Sequence, residues 1–209
     1  MSRVFVPGFG ALPAFYKPAL AADWLVPEPP SFRRAGSFRA RVRALQLALE
    51  RVEGPLTLAG HSMGAALAVA VALEQPERVE RLLLVAPAGL PLTKPVRASA
   101  RDFFGQAGDR LYTPREIARV LASALVAPRS AVNLARAVRA LDLREQLEAV
   151  KRRGIRCEVI GCAGDTLTPV EHCRRIARLA GASYREVDAR GGHMWMLVEP
   201  GAFAAVLAH

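Results

Sequence analysis

The chain has 209 residues, of which 52% are hydrophobic and 23% charged, and its formal net charge is +10. This length corresponds to one ordinary domain and this composition excludes a disordered chain, while the longest apolar run, Met63 to Leu73, is shorter than the roughly 18 residues of a membrane-spanning helix. A basic charge is compatible with nucleic-acid binding, yet only 6% of the residues are aromatic and no nucleic-acid-binding motif is present. We therefore expect a single domain without a membrane span and without a nucleic-acid partner.

The N-terminus and the cysteines predict a cytoplasmic location. Residues 1–8 contain neither a long apolar stretch nor the small-residue cleavage site of a secretory signal. Cys157, Cys162 and Cys173 are an odd number of cysteines and form no CxxC motif, so a disulfide framework is not expected. We expect these three thiols to be inert, because buried thiols are common in strands and helices.

Strand patterns and helix patterns alternate along most of the chain. The apolar runs that predict strands are Val4–Val6, Asp23–Val26, Leu56–Ala59, Val79–Val85, Ile155–Ile160 and Tyr184–Val187. The patterns that predict helices are Ala14–Ala22, Phe38–Val52, Ala65–Leu73, Val170–Leu179 and Pro200–Leu207. Such alternation predicts a mostly parallel sheet of about six strands with helices on both faces.

The stretch from Leu90 to Leu141 is the exception, because it carries no strand pattern. The sequence Thr113-Pro114-Arg115-Glu116 is a capping box with proline at the first helical position, and it predicts a helix towards Ala127. A further helix is predicted from Asp142 into the fifth strand. We expect one domain over residues 1–209 with a helical insertion over residues 90–141.

Residues 60–64, Gly-His-Ser-Met-Gly, fit the GxSxG pattern of a nucleophile elbow and lie between a predicted strand and a predicted helix. A strand that turns directly into a helix strains the serine and leaves no room for a side chain at Gly60 or Gly64. The turn would project the Ser62 hydroxyl from the carboxyl edge of the sheet. The N–H of Met63, at a helix N-terminus, would face developing negative charge. Ser62 is therefore the candidate nucleophile.

A serine nucleophile needs a base, and the sequence offers four histidines. His61 lies inside the elbow, so its side chain is expected to point away from the serine hydroxyl. His172 lies in a predicted helix and His209 is the last residue. His193 follows the last predicted strand in the loop Gly-Gly-His, at the carboxyl edge of the sheet, and is the candidate base.

The candidate acid that would orient the base is Asp165, in the loop after the fifth predicted strand. Thr168-Pro169-Val170-Glu171 is expected to cap the helix that follows this loop. Asp188 and Glu186 are nearer to His193 in sequence and are the alternative acids, but they lie at the strand that leads to it. No acidic residue directly follows the fourth strand.

The motifs in this order resemble the α/β-hydrolase superfamily, in particular its capped branch with a GHSMG elbow. The stretches that carry the resemblance are Val4–Gly10, Leu56–Gly64, Arg81–Gly89, Asp142–Pro169 and Gly191–Pro200. The resemblance implies an α/β-hydrolase fold with a cap. It also implies that the N–H of Phe9 completes the oxyanion hole beside that of Met63.

Two features depart from the pattern of that family. The family usually has histidine where this chain has Pro7, so the support of the first loop is expected to differ. The chain also starts at what is normally the third strand, which would leave Asp23–Val26 as an exposed edge next to a proline-rich loop. A serine in the elbow argues against the epoxide hydrolases and haloalkane dehalogenases of this fold, which use aspartate there.

The resemblance implies a serine hydrolase that cleaves a carboxylic ester or thioester through an acyl-enzyme on Ser62. No metal or nucleotide cofactor is expected, because no residue cluster has zinc spacing and no Gly-rich phosphate loop is present. Two alternatives remain open. One is a carbon–carbon bond hydrolase of the same fold, and the other is a catalytically silent binding protein.

Residues 94–156 contain fourteen Lys and Arg against six Asp and Glu. A basic lid would attract an anionic substrate, either a small molecule or an acyl ester on an acidic carrier, whereas a solvated helical surface would explain the charge without any partner. Apolar residues in and beside the insertion could line an acyl pocket or pack within the fold: Leu90, Leu92, Phe103, Phe104, Leu111, Leu121, Leu125 and Leu134.

Overall fold

A parallel six-stranded sheet forms the centre of the computed structural model, which describes residues 1–92 and 114–208. Its strands are β1 (Ser2–Val6), β2 (Trp24–Leu25), β3 (Leu56–His61), β4 (Val79–Val85), β5 (Arg156–Cys162) and β6 (Ser183–Val187). The strand order is β2-β1-β3-β4-β5-β6, and every neighbouring pair is parallel. The predicted α/β class and the predicted number of strands are confirmed.

Helices follow the strands as the patterns predict. They are α1 (Pro13–Tyr16), α2 (Phe38–Leu49), α3 (Met63–Glu74), α4 (Pro114–Val126), α5 (Pro128–Arg139), α6 (Arg144–Arg152), α7 (Val170–Ala180), α8 (Trp195–Val198) and α9 (Pro200–Ala208). The predicted helix over Ala14–Ala22 is instead the short α1 and a 3₁₀ turn, Lys17–Ala19. Pro18 has no N–H to donate, which explains why the α-helical pattern does not continue there.

Both faces of the sheet are buried, so the strands contribute to two separate cores. Val4 and Val6 of β1 pack in the cluster with α2, α3, α6 and α7, whereas Phe5 packs in the cluster with α1, α8 and α9. Leu82 and Leu83 of β4 divide between the two clusters in the same way. Burial on both faces is the reason that these strands are continuous apolar runs without alternation.

The edge at β2 has the short, interrupted form that limits pairing with another chain. This strand has two residues, pairs with β1, and leaves Leu25 51% exposed. Pro27, Pro29 and Pro30 follow it and remove backbone donors beyond its end. The exposed edge that the sequence predicts is therefore present and short.

The described part of the expected insertion consists of α4 and α5. Residues 93–113, and with them Phe103, Phe104, Leu111 and the capping residue Thr113, lie outside the described residues. Leu134 of α5 is fully buried in the α2–α3 core cluster, together with Leu90. The insertion thus packs on the domain through α5, and its role as a cap stays a prediction.

Candidate active site

The backbone at Ser62 has the strained geometry that the GxSxG pattern predicts. Ser62 has φ of 54° and ψ of −116°, and the side chain is half-buried at the junction of β3 and α3. A Cβ at Gly60 would lie 2.6 Å from the backbone nitrogen of Ala65, and one at Gly64 would overlap the carbonyl of Val6. Strain of this kind costs about 1–3 kcal/mol and persists only where surrounding contacts hold it. The Ser62 N–H, donating to the carbonyl of Val85 at 2.9 Å, is one such contact.

Asp165 and His193 are joined by a buried hydrogen bond. His193 Nδ1 lies 2.8 Å from Asp165 Oδ2, and the two residues are 4% and 3% exposed. Burial by itself would raise the pKa of the Asp165 carboxyl. The charge of His193 and the hydrogen bonds from His193 and Thr168 outweigh it, so the pKa of Asp165 is below its ordinary value. An ionised Asp165 accepts from Nδ1–H, which leaves Nε2 of His193 as the basic nitrogen.

Thr168 is a residue that sequence reasoning assigned to another role. Its hydroxyl donates to Asp165 Oδ2 at 2.8 Å, and its oxygen lies 3.3 Å from His193 Nδ1. The expected capping of α7 by Thr168 is wrong, because the N-cap is Pro169 and no side chain caps the helix. The hydroxyl turns into the site because the buried carboxylate there needs donors.

The carboxylate is also held by backbone donors from its own loop. Asp165 Oδ1 accepts from the N–H of Leu167 at 2.8 Å and from the N–H of Thr168 at 3.0 Å. The alternative acids lie elsewhere, since Glu186 is paired with Arg174 at 2.8 Å and Asp188 is exposed. Of the three carboxylates considered, Asp165 is the one hydrogen-bonded to His193.

The two N–H groups considered for an oxyanion hole lie on adjacent strand ends. Val6 at the end of β1 is in register with Gly60 of β3, so the loop that contains Phe9 runs beside the elbow. Met63 is the first residue of α3, where backbone N–H groups have no partner within the helix. Among residues 1–92 and 114–208, neither the N–H of Phe9 nor that of Met63 donates a hydrogen bond.

Tyr16 and His61 support the loop before Phe9, in which Pro7 stands where the family usually has histidine. Gly8 N–H donates to the Tyr16 hydroxyl at 3.2 Å, and that hydroxyl lies 2.9 Å from His61 Nδ1. His61 Nε2 lies 3.0 Å from the carbonyl oxygen of His193. Since the carbonyl can only accept, the proton is on Nε2, Nδ1 accepts, and Tyr16 donates to it.

His61 is therefore a neutral link between the loop that precedes Phe9 and the backbone of the candidate base. Complete burial, followed by the nearby charge of His193, lowers the pKa of His61 to about 3. The rings of His61 and His193 are 4.7 Å apart. Nothing in the sequence joins Tyr16 to His61, because they are 45 residues apart and meet only in the folded chain.

His172 is hydrogen-bonded outside the Asp165–His193 pair. His172 on α7 places Nε2 3.1 Å from the carbonyl oxygen of Pro87, and burial lowers its pKa. His209 lies outside the described residues. Among the histidines within residues 1–92 and 114–208, His193 is the one hydrogen-bonded to Asp165.

The cysteines and most of the candidate pocket residues take part in packing or face solvent. All three cysteines are buried and free, and burial raises the pKa of Cys157 to about 12 and keeps its thiol protonated. Leu121 and Leu125 of α4 are 51% and 75% exposed, whereas Leu92 is half-buried. Leu90 and Leu134 lie in the core, so their part in an acyl pocket stays a prediction.

No helix within residues 1–92 and 114–208 combines the length and the apolar character that a membrane crossing needs. This finding agrees with the short apolar runs in the sequence.

Solved structures with the same fold include several hydrolases. An N-acyl homoserine lactone degrading enzyme shares 19% identity at a TM-score of 0.76 and covers 99% of this chain and 91% of its own. The enol-lactonase from Burkholderia xenovorans shares 20% identity at a TM-score of 0.72, and the match covers 99% of this chain and 89% of the lactonase. An esterase from Exiguobacterium antarcticum shares 16% identity at a TM-score of 0.75, and the match covers 100% of this chain and 91% of the esterase. At these identities the likeness concerns the fold.

No curated protein sequence matches the chain. The model of the alpha/beta hydrolase family, in contrast, matches residues 4–206, which include the elbow, the Asp165 loop and the His193 loop. The chain belongs to the alpha/beta hydrolase family.

Proposed function

We propose that this protein is a serine hydrolase that cleaves a carboxylic ester or thioester. The observation that carries the proposal is the buried hydrogen bond between His193 Nδ1 and Asp165 Oδ2, 2.8 Å long, in a chain whose serine elbow is strained. Membership in the alpha/beta hydrolase family supports hydrolase activity in general.

In the first half-reaction, Ser62 Oγ attacks the carbonyl carbon of the substrate while His193 Nε2 takes the hydroxyl proton. Asp165 stabilises the resulting imidazolium through Nδ1–H. The N–H groups of Phe9 and Met63 donate to the oxyanion of the tetrahedral intermediate. The intermediate collapses when His193 passes its proton to the leaving alcohol or thiol, which leaves the acyl group on Ser62.

In the second half-reaction, His193 Nε2 takes a proton from water as the water oxygen attacks the acyl carbon. The tetrahedral intermediate then expels Ser62 Oγ, which recovers its proton from His193. The products are a carboxylic acid and the free enzyme. Ser62 is half-buried by the described residues, as a nucleophile that must meet a substrate requires.

The decisive experiment compares wild type, Ser62→Ala and a matched control, Ser183→Ala, which alters an exposed serine of β6. We expect the wild type and the control to hydrolyse p-nitrophenyl esters between acetate and decanoate, and Ser62→Ala to lose turnover. A fluorophosphonate probe should label wild type at Ser62, as located by peptide mass spectrometry. Folded wild-type protein with neither turnover nor labelling would instead favour a silent binding protein.

We also propose that the acyl substrate, free or carrier-bound, is anionic. Arg119, Arg129 and Arg136 on α4 and α5 are exposed, and they belong to the basic stretch of the sequence. Such a surface accelerates encounter with a negative partner, and salt screens the effect. The test is the salt dependence of kcat/KM for an anionic ester against a neutral one. Equal dependence for both esters would contradict the proposal.

A further inference from the structure

Arg41 is a buried cation for which the described residues supply no counter-ion. It lies on α2 and is 4% exposed, and its Nε has no hydrogen-bond partner among residues 1–92 and 114–208. The guanidinium carbon lies 5.1 Å from the centre of the Phe32 ring. Burial lowers the pKa of Arg41 to about 10, so the side chain is still charged at neutral pH. A buried guanidinium with an aromatic face as its partner is costly, and a charged group is normally paired where it is buried.

A cavity of about 40 Å³ borders this side chain. One enclosed water needs roughly 10–15 Å³, so the cavity has room for a group of a few heavy atoms. Apart from Arg41 and Glu28 its walls are apolar, with Leu45, Leu67 and several prolines among them. A cation at the wall of a small apolar cavity is the arrangement that suits the acid end of an aliphatic chain.

The cavity lies next to the loop that precedes Phe9. Pro7 and Met63 both line it, and they adjoin Gly8 and Ser62 in the chain. The Arg41 guanidinium lies over the Phe32 ring, and the centre of that ring is 5.3 Å from the centre of the Phe9 ring. Arg41 thus borders the same loop that brings the N–H of Phe9 beside the elbow.

Among the residues that line the cavity, Glu28 is the carboxylate that could form an ion pair with Arg41. It is exposed, and it forms neither a hydrogen bond nor an ion pair with Arg41. The cationic wall is therefore open to another carboxylate.

We propose that this cavity binds the carboxylate of a short aliphatic acid on the guanidinium of Arg41. Guanidinium groups bind carboxylates through paired N–H···O bonds, and the apolar walls would accept the methylene groups next to the acid. The carboxylate has two sources, a free acid or the acidic end of the substrate itself. The second source rests on the proposed function, and the first does not.

The first experiment measures the thermal unfolding midpoint of wild type, Arg41→Met and Arg43→Met at equal ionic strength in sodium chloride, acetate and butyrate. Arg43 is the matched control because it is exposed on the same helix. We expect acetate or butyrate to raise the midpoint of wild type and Arg43→Met above their chloride values, but not that of Arg41→Met. Should Arg41→Met not fold, Arg41→Lys keeps the charge without the planar fork and is expected to show a reduced shift. Equal shifts in all folded proteins would overturn the proposal.

The second experiment identifies the source of the carboxylate. It compares p-nitrophenyl esters of monocarboxylic acids with mono-p-nitrophenyl esters of dicarboxylic acids of equal chain length. A loss of kcat/KM of about ten- to hundredfold in Arg41→Met, confined to the dicarboxylic series, assigns the site to the substrate. A midpoint shift without this selectivity assigns it to a free acid.

The outcomes of the two experiments are separable. If neither ester series is hydrolysed by wild type, the proposed function has failed, and the midpoint shifts still decide whether Arg41 binds a carboxylate. A double-mutant cycle of Arg41→Met and Glu28→Gln, measured as unfolding free energies in chloride alone, tests for an internal ion pair. A strong coupling energy between the two substitutions would show such a pair and would overturn the proposal.

Discussion

The two sides of the candidate site are held by different kinds of contact. On the acid–base side, Asp165 accepts hydrogen bonds from Leu167 and Thr168, two and three residues further along the same loop. On the side that we propose to hold the oxyanion, called the oxyanion side below, the loop at Gly8 is held by Tyr16, whose hydroxyl is hydrogen-bonded to His61. The first arrangement is local in sequence and charged, whereas the second is neutral and exists only once distant segments have packed. Loss of a contact should therefore affect chemistry most on the acid–base side, and chemistry together with folding on the oxyanion side.

The largest expected effect is that of Asp165→Asn. The amide cannot stabilise an imidazolium at His193 as the carboxylate does, and it favours the wrong tautomer, so we expect kcat to fall by about 10³- to 10⁴-fold. Ester hydrolysis and circular dichroism would measure activity and folding together. Asp188→Asn, at an exposed carboxylate, is the control and should retain activity. A folded Asp165→Asn protein with nearly full kcat would remove Asp165 from the mechanism.

The neutral state of His61 predicts a loss of stability in acid. The folded pKa of about 3 lies below the ordinary value of 6.5, so the unfolded chain binds the extra proton between these values and stability falls as pH decreases. Between pH 6.5 and pH 5 the loss should reach about 2 kcal/mol, measured by urea unfolding at each pH.

His61→Gln is expected to flatten this dependence. His172→Gln should flatten it less, because His172 is only partly buried, although its pKa is lowered in the same direction. The low pKa of Asp165 adds a further loss at the acid end, since protonation of that carboxylate favours the unfolded chain. A pH-independent unfolding free energy down to pH 5 would contradict the burial of a neutral His61.

Tyr16→Phe tests the oxyanion side directly. Removal of the hydroxyl leaves Gly8 N–H without its acceptor and His61 Nδ1 without its donor, which should cost about 1–3 kcal/mol of stability. If the loop then shifts the N–H of Phe9, kcat should fall about tenfold with KM nearly unchanged, because that donor acts on the transition state. Tyr184→Phe, at the half-buried tyrosine of β6, is the control. Lost stability with unchanged kcat would give Tyr16 a purely structural role.

The smallest expected effect is that of Thr168→Val, which replaces the hydroxyl by a methyl group of similar size. The Asp165 carboxylate would lose one of its donors, so its pKa should rise and kcat should fall severalfold. The acid limb of the pH–rate profile should move to higher pH. Thr168→Ser restores a hydroxyl and should recover most of the wild-type rate. A valine variant that matched wild type throughout the profile would show that the backbone donors suffice.

Much of the fold could be predicted because local patterns and tertiary packing agree. The central strands β1, β3, β4 and β5 are largely apolar and contribute to the cores on both faces of the sheet, and Gly60 and Gly64 mark a turn where a side chain would collide with backbone. One prediction is wrong because two local roles compete for the same side chain. Thr168 has the sequence of a helix cap, but its hydroxyl binds the buried Asp165 instead, since an ionised carboxylate gains more from that donor than a solvated helix end does.

The sequence by itself determined the parallel sheet, the strained turn at Ser62 and the order of the candidate nucleophile, acid and base, because each depends on residues that are neighbours in the chain. Only the tertiary structure decided that Asp165 rather than Glu186 or Asp188 contacts His193, and that Tyr16 and His61 hold the loop that follows Pro7. It also decided that Arg41 is buried beside a cavity. The physical reason is common to all three. Hydrogen bonds and desolvation depend on distances across the fold, and residues far apart in sequence acquire those distances only when the sheet and its helices pack.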